Sequence, residues 1–176
     1  MIELDDERKK LLQTDDHILV LGGPGSGKTT IALCKAKHDI EKLKPFQKIL
    51  FLSFARATVV RVYKQSQGIL NTTDLKNIEI STYHAFEWKL LKSNAMLVSK
   101  HPLSLLPPHE AAVLFRGLSG DDLKQATSKE FVNSGKLHFD LFASETARLL
   151  SQSDSVLKLI SDLYPIIILD EFQDTS

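Results

Sequence analysis

A glycine-rich stretch at residues 22–30, with the sequence GGPGSGKTT, holds the residue types best suited to chemistry. It follows an apolar run at residues 18–21 and leads into the helical spacing of Leu33, Ala36 and Ile40. The stretch fits the pattern G-x-x-x-x-G-K-[ST] between a strand and a helix, which is typical of loops that bind nucleotide phosphates. Glycine lets backbone N–H groups curl around phosphate oxygens, and a helix N-terminus adds partial positive charge. A turn that binds nothing is the alternative, but the match at every fixed position favours nucleotide binding.

Two residues of this loop have specific predicted roles. Lys28 is predicted to reach the β- and γ-phosphates of a nucleoside triphosphate, and the Thr29 hydroxyl is predicted to ligate Mg²⁺. The backbone around them would surround the phosphates. The other loop residues of the predicted site are Gly23, Pro24, Gly25, Ser26, Gly27 and Thr30.

A second group of chemically capable residues follows the apolar run at residues 166–169. The run ends in the adjacent carboxylates Asp170 and Glu171. Ligands of parallel α/β sheets gather at the carboxyl ends of the strands, where two such carboxylates are useful. We expect Asp170 to hold Mg²⁺, directly or through a water, and Glu171 to orient and deprotonate an attacking water. An acidic turn after an edge strand is the alternative, which the phosphate loop in the same chain disfavours.

Strands and helices alternate along the rest of the chain. Short apolar runs predict strands at residues 18–21, 49–53, 78–81 and 166–170, and helical spacing follows the first three. This alternation predicts a parallel sheet with helices on both faces. Prolines and glycines break the rhythm at residues 93–137, which we interpret as a small helical insertion. The predicted core therefore comprises residues 1–92 and 138–176.

Composition limits the class of protein without naming it. The chain has 176 residues, 43% of them apolar, and no net charge, which is ordinary for one globular domain. Residues 1–101 hold 16 Lys+Arg against 11 Asp+Glu, a weak indication of a polyanionic partner. The longest apolar run, residues 111–115, is too short to span a membrane, and the N-terminus is acidic where a signal peptide would be basic. We expect a cytoplasmic protein without a membrane segment.

No structural metal is expected either. The histidines other than His84 show no metal-ligand spacing, and Cys34 is the only cysteine, so it forms no internal disulfide. Trp88, on a predicted helix, is expected to pack in the core.

Taken together, the glycine-rich loop and the sequence DEFQD at residues 170–174 resemble the phosphate loop and the D-E-x-Q-D motif of the UvrD/Rep-type superfamily 1 DNA helicases. The sequence SFAR at residues 53–56 is similar to motif Ia of that family, and TYHAF at residues 82–86 resembles its T-F-H-S-[FL] motif. The resemblance covers most of the chain and is weakest over residues 93–137, where the family carries its variable 1B insertion.

This resemblance implies a RecA-like P-loop fold that binds ATP and Mg²⁺ and, in the full-length protein, moves along single-stranded DNA. It implies that Gln173 senses the γ-phosphate or the attacking water. The rings of Phe54 and Tyr83 could stack on bases, although either could instead pack in the core. The nucleic-acid contacts that the resemblance implies are Phe54, Arg56, Tyr83 and His84.

Two features depart from the family. The glutamine that reads adenine in the family corresponds to Arg8, which can stack on a base but cannot offer the paired donor and acceptor of an amide. The sequence also stops at Ser176, directly after the acidic motif. We therefore expect an N-terminal fragment that lacks the C-terminal motor domain and, alone, is nearly inactive.

Two other functions remain open on the residues. A small P-loop kinase would suit the loop and the length, but kinases neutralise the transferring phosphoryl group with several arginines. This chain has five arginines in no obvious cluster, and a kinase leaves the acidic motif unexplained. A non-enzymatic, nucleotide-dependent interaction module is the third reading.

Overall fold

The computed structural model describes residues 6–23 and 25–170, apart from the side chain of Glu7. Within these residues the α-helices are α1 (Asp6–Gln13), α2 (Lys28–Ile40), α3 (Arg56–Ile69), α4 (Tyr83–Ser93), α5 (Ala95–Val98), α6 (Pro108–Leu114), α7 (Gly120–Ser134), α8 (Phe142–Gln152) and α9 (Asp154–Leu163). The strands are β1 (Ile49–Ser53), β2 (Ile78–Thr82), β3 (Ser104–Leu105), β4 (Lys136–Leu137) and β5 (Ile166–Leu169). Short 3₁₀ helices cover Asp74–Asn77 and Phe139–Leu141.

A three-stranded parallel sheet in the order β2-β1-β5 joins two strands of the first half of the chain to β5 near its end. Its middle strand, β1, is buried along its whole length, which explains why its sequence is continuously apolar up to Ser53. Ile49 pairs with Ile78 on one side and with Ile166 on the other. The three strands that the sequence predicted at these positions are confirmed, and so is the parallel α/β class.

The core on one face of this sheet joins strands and helices. Ile49 and Phe51 of β1 lie in one buried cluster with Leu33, Ala36 and Ile40 of α2. Residues of the α3 and β2 region complete the cluster: Val62, Leu70 and Ile78. Because side chains alternate along a strand, Ser53 belongs to the same face as Ile49 and Phe51. Helix α2 is thus packed against the sheet by its apolar side.

The predicted strand at residues 18–21 is wrong in this structure. No strand of the described residues includes this segment, and Leu19 and Leu21 are 76% and 84% exposed. The described sheet ends at β5, where Ile167 and Leu169 are also exposed. An apolar run becomes a buried strand only when a neighbouring strand pairs with its backbone, and no strand in the described part of the chain pairs with residues 18–21.

A buried ion pair fastens α1 to α2. Asp39 is almost completely buried and accepts a 2.8 Å ion pair from Lys35, one helical turn earlier. Lys35 also donates a 3.0 Å hydrogen bond to the backbone carbonyl of Leu12 in α1. A second cation, Lys42, lies 3.4 Å from Asp39 and pairs with Asp15 after α1. Asp39 therefore holds in place Lys35, the cation that binds the C-terminal end of α1.

The chain forms two compact units, one from the described residues up to Thr82 together with those from Ile160, the other from Tyr83 to Leu159. In the second unit, Trp88 of α4 stacks on Phe142 of α8 with ring centroids 5.9 Å apart. Arg148 of α8 pairs with Glu145 at 2.6 Å and donates to the carbonyl of Val98. Trp88 thus packs against another aromatic ring but is only half-buried, whereas the sequence analysis expected it to pack in the core.

Residues 93–137 contain three helices, α5 to α7, as their broken helical spacing suggested. They also contain a feature that the sequence did not predict, since β3 pairs in parallel with β4. Lys136 of β4 forms a 2.7 Å ion pair with Glu110 of α6. The assignment of residues 93–137 as an insertion in a core of 1–92 and 138–176 stays a prediction.

Candidate nucleotide-binding site

The glycine-rich loop has the backbone that only glycine adopts readily. Gly25 and Gly27 have φ angles of 77° and 85°, in the left-handed region. At Gly22 the constraint is space, since a Cβ atom there would lie 2.6 Å from the Ser26 hydroxyl oxygen. Glycine is therefore favoured at these three positions for two reasons, a left-handed backbone at Gly25 and Gly27 and limited space at Gly22. Pro24 lies outside the described residues.

Helix α2 begins directly after this loop, at Lys28. Gly27 precedes it and has no side chain that could cap the helix, and no acidic residue lies in the first turn. The first N–H groups of a helix have no partner within it, so this end has the partial positive charge and the donors that suit an anion. Thr29 and Thr30, both half-buried, lie in this first turn.

The Lys28 side chain folds back over the loop. Its ammonium group donates hydrogen bonds to the backbone carbonyls of Gly22 at 2.6 Å and Gly23 at 3.2 Å. The Gly23 carbonyl also accepts from the Ser26 N–H at 3.3 Å. Lys28, which the sequence predicted to bind phosphates, therefore binds the backbone carbonyls of its own loop in this structure.

Asp170 lies at the carboxyl end of β5. Its side chain is buried, with the residue 8% exposed, and its N–H donates a 2.9 Å hydrogen bond to the carbonyl of Leu52. This bond extends the β1–β5 ladder by one step, so Asp170 comes beside Ser53, which pairs with Thr82 on the other side. Three polar residues thus end three neighbouring strands.

Ser53 and Thr82 are the members of this row that the sequence did not assign to the nucleotide site, and Ser53 is the more deeply buried of the two. It is fully buried, and its hydroxyl makes no hydrogen bond to any residue that the structure describes. The signal in the sequence is a single polar residue at the end of the apolar run ILFL. That signal gains meaning only from the neighbouring strand, since Asp170 is more than a hundred residues away in the chain.

The remaining predicted nucleotide-site residues are less informative. Arg8 is exposed on α1. Glu171 and Gln173 lie outside the described residues, so their predicted catalytic roles stay predictions.

The predicted nucleic-acid contacts fall in different units. Phe54 is 49% exposed after β1, and Arg56 is exposed at the first position of α3. Tyr83 and His84 begin α4 in the second unit. There the His84 ring makes edge contacts with Phe139 and Phe142, with centroids 6.1 Å and 5.8 Å apart. Phe54 is thus not a core residue of its unit, whereas His84 packs against aromatic neighbours while remaining exposed.

The parallel sheet, the core shared with α2 and the glycine-rich loop before that helix define a protein with a RecA-like α/β core. The chain belongs to the family described as the UvrD/REP helicase N-terminal domain, which matches residues 4–138. The match includes the loop, β1 and β2 and ends before β5. It therefore confirms the family that the motifs indicated.

A named relative supports the same family. The chain is 32% identical over 89 residues to the "Putative ATP-dependent DNA helicase YjcD" of Bacillus subtilis (strain 168). That alignment covers 49% of this chain and 12% of the relative.

Among the described residues, no helix is long and apolar enough to cross a membrane, and no three His, Cys, Asp or Glu side chains are grouped as a metal site would require.

Proposed function

We propose that this chain is the ATP-binding part of the first motor domain of a DNA helicase, which in the complete protein couples ATP hydrolysis to movement along single-stranded DNA. The observation that carries the proposal is the glycine-rich loop. Its two left-handed glycines come just before α2, whose N-terminus has no side-chain cap, and Lys28 is the first residue of that helix. Backbone donors, a helix dipole and one cation then converge on a site for phosphates. Membership of the UvrD/REP helicase family, whose match over residues 4–138 extends well beyond the loop, also supports the proposal.

The path of the chain supports a common site for the loop and Asp170. Helix α2 is about 20 Å long, and β1 is about 17 Å long, by the usual rise per residue. Since Ile40 at the end of α2 and Ile49 at the start of β1 belong to one core cluster, the helix runs back along the strand. The start of α2 is therefore expected at the carboxyl end of the sheet, where Asp170 lies.

The side chains at that end suit Mg²⁺, because a hydroxyl and a carboxylate are the oxygen ligands that this cation takes. In the proposal, Thr29 and Asp170 hold the metal, and the burial of Asp170 restricts the water around it. Bound Mg²⁺ would neutralise charge on the transferring phosphoryl group. Lys28 would bind the β- and γ-phosphates and give up its hydrogen bonds to the carbonyls of Gly22 and Gly23.

The catalytic and base-reading roles follow from the family. We propose Glu171 as the group that orients and deprotonates the attacking water, and Gln173 as the residue that senses the γ-phosphate. Arg8 would stack on the base of the nucleotide. An amide at this position would read adenine by paired hydrogen bonds, so stacking by Arg8 gives weaker selectivity among nucleotides.

DNA contacts are proposed separately in each unit, for Phe54 and Arg56 in the first and for Tyr83 and His84 in the second. The half-exposed Phe54 ring supports stacking on a base, a contact worth about 1–3 kcal/mol in single-strand binders. Arg56 would contact a phosphate from the exposed start of α3. This DNA contact is a property of the complete protein, in which a second motor domain would also contribute.

The second motor domain also matters for the rate of hydrolysis. An arginine supplied to the γ-phosphate accelerates phosphoryl transfer by about 10³–10⁵. No arginine of this chain has a sequence context that predicts that role, so we propose that the other domain supplies it. The isolated chain should bind nucleotide and hydrolyse it very slowly.

The test is calorimetric titration of the purified chain with Mg·ATP and Mg·ADP, followed by phosphate release with and without oligo-dT and strand displacement. We expect binding, little turnover and no unwinding. Phosphoryl transfer to added AMP would instead support a kinase. The absence of nucleotide binding would refute the proposal, and fast DNA-stimulated turnover or unwinding would refute the role given to the second domain.

A further inference from the structure

We infer that Ser53 is a positioning residue of the metal site, whose hydroxyl hydrogen-bonds to a water of the Mg²⁺ held by Asp170. The inference rests on the proposed function and adds a residue that neither the motifs nor the family roles assign there. The first argument is the free-energy cost of burying the Ser53 hydroxyl. A buried hydroxyl without a hydrogen bond loses its interactions with water and receives nothing in return. Ser53 is such a group among the described residues.

The register of the sheet directs this hydroxyl towards Asp170. Phe51 pairs with Ile168, and the bond from the Asp170 N–H to the Leu52 carbonyl continues that pairing by one step. Residues in register on neighbouring parallel strands lie about 4.8 Å apart and point to the same face. Ser53 and Asp170 are therefore side by side on one face of the sheet.

That face is the one covered by α2. Phe51, two residues before Ser53, packs in the cluster that contains Leu33 and Ala36 of α2. The Ser53 hydroxyl is thus enclosed between the sheet and the helix that carries Thr29 at its start. A metal-bound water in this space would donate to Ser53, since a serine hydroxyl oxygen can accept a hydrogen bond. Partners of this kind fix the water and the carboxylate around a metal.

Ser66 offers a matched comparison within the same unit. It is also fully buried, but its hydroxyl donates a 2.7 Å hydrogen bond to the carbonyl of Tyr63. Its hydroxyl therefore serves the fold. Changing each serine to alanine should therefore affect stability differently. At Ser53 the change removes a hydroxyl without a hydrogen bond, and at Ser66 it removes a hydroxyl that makes one.

The experiment measures ADP affinity of the intact chain by calorimetry, with Mg²⁺ and with EDTA, for wild type, Ser53→Ala, Ser53→Thr and Ser66→Ala. We expect Ser53→Ala to reduce the gain in affinity that Mg²⁺ gives by about tenfold, the usual scale for such partners. Its affinity in EDTA should be unchanged, and its melting temperature should equal or exceed that of wild type. Ser53→Thr, which keeps the hydroxyl, should restore the effect of Mg²⁺.

Ser66→Ala should lower the melting temperature and leave the effect of Mg²⁺ intact. If Ser53→Ala melts lower to the same extent as Ser66→Ala, or keeps the full Mg²⁺ effect, the inference about Ser53 is wrong. If the wild-type chain binds no ADP in either buffer, the proposed function itself fails, and the two failures are distinct.

Discussion

The ammonium group of Lys28 donates a 2.6 Å hydrogen bond to the backbone carbonyl of Gly22, six residues earlier in the chain. The contact closes the glycine-rich loop around its own cation. A phosphate group must therefore compete with carbonyl oxygens for the donors of Lys28, of which an ammonium group has three. A phosphate is the stronger acceptor, because its negative charge attracts the ammonium group, whereas a backbone carbonyl carries no net charge.

The first prediction is that Lys28→Ala abolishes Mg·ATP binding measured by calorimetry. The change removes the side-chain cation of the loop while the core of the sheet and α2 stays intact. The melting temperature should therefore change little. Lys9→Ala, which alters an exposed pair with Asp6, is the control and should bind as wild type does. Unchanged affinity in Lys28→Ala would contradict the assignment of the loop.

The second prediction is that Gly27→Ala destabilises the chain through backbone strain and not through a steric clash. A Cβ atom there meets nothing within 4 Å, so Gly27→Ala is penalised only by its φ of 85°. We expect a loss of about 1–2 kcal/mol in the free energy of unfolding, together with weaker nucleotide binding. Gly68→Ala, on the exposed side of α3, should instead stabilise the chain by about 0.5 kcal/mol. Chemical denaturation of both variants provides the measurement, and equal effects would contradict the argument.

The third prediction concerns the ion pair that fastens α1 to α2. Asp39→Ala leaves Lys35, whose side chain is only 17% exposed, without its carboxylate. Removing one partner of a buried pair costs about 3–5 kcal/mol, so unfolding should become easier by about that amount. Asp6→Ala breaks an exposed pair with Lys9 and should cost at most about 0.5 kcal/mol. Urea denaturation of the two variants should differ strongly, and similar midpoints would mean that Asp39 is not structurally important.

The fourth prediction is a pH dependence at Glu87 in α4. Burial raises the pKa of this carboxyl above its usual value, and nearby His84 only partly opposes the shift. A raised pKa in the folded state gives stability that is complete below the unfolded pKa and is lost as the pH rises through the folded one. Glu87→Gln should therefore stabilise the chain at pH 7 relative to wild type, with the gain disappearing near pH 4. Melting curves at the two pH values test this, and a gain that is larger at pH 4 would reverse the sign and contradict it.

Much of the site could be predicted from the sequence because its physics is local. The left-handed glycines, the helix that starts at Lys28 and the three strands of the sheet all follow from short patterns within a few residues. The same local reasoning was wrong at residues 18–21. An apolar run has strand propensity by itself, but its burial depends on a neighbouring strand, which the described sheet does not provide there.

Other features escaped prediction because they join distant parts of the chain. The two-residue strands β3 and β4 are too short to leave a periodic signal, and Lys35 reaches the Leu12 carbonyl only because α1 lies on α2. By itself, the sequence determined the glycine-rich loop, the carboxylate after the last strand and the family. Only the tertiary structure decided that Ser53 lies beside Asp170, because the register of parallel strands is set by hydrogen bonds between segments that the chain keeps far apart.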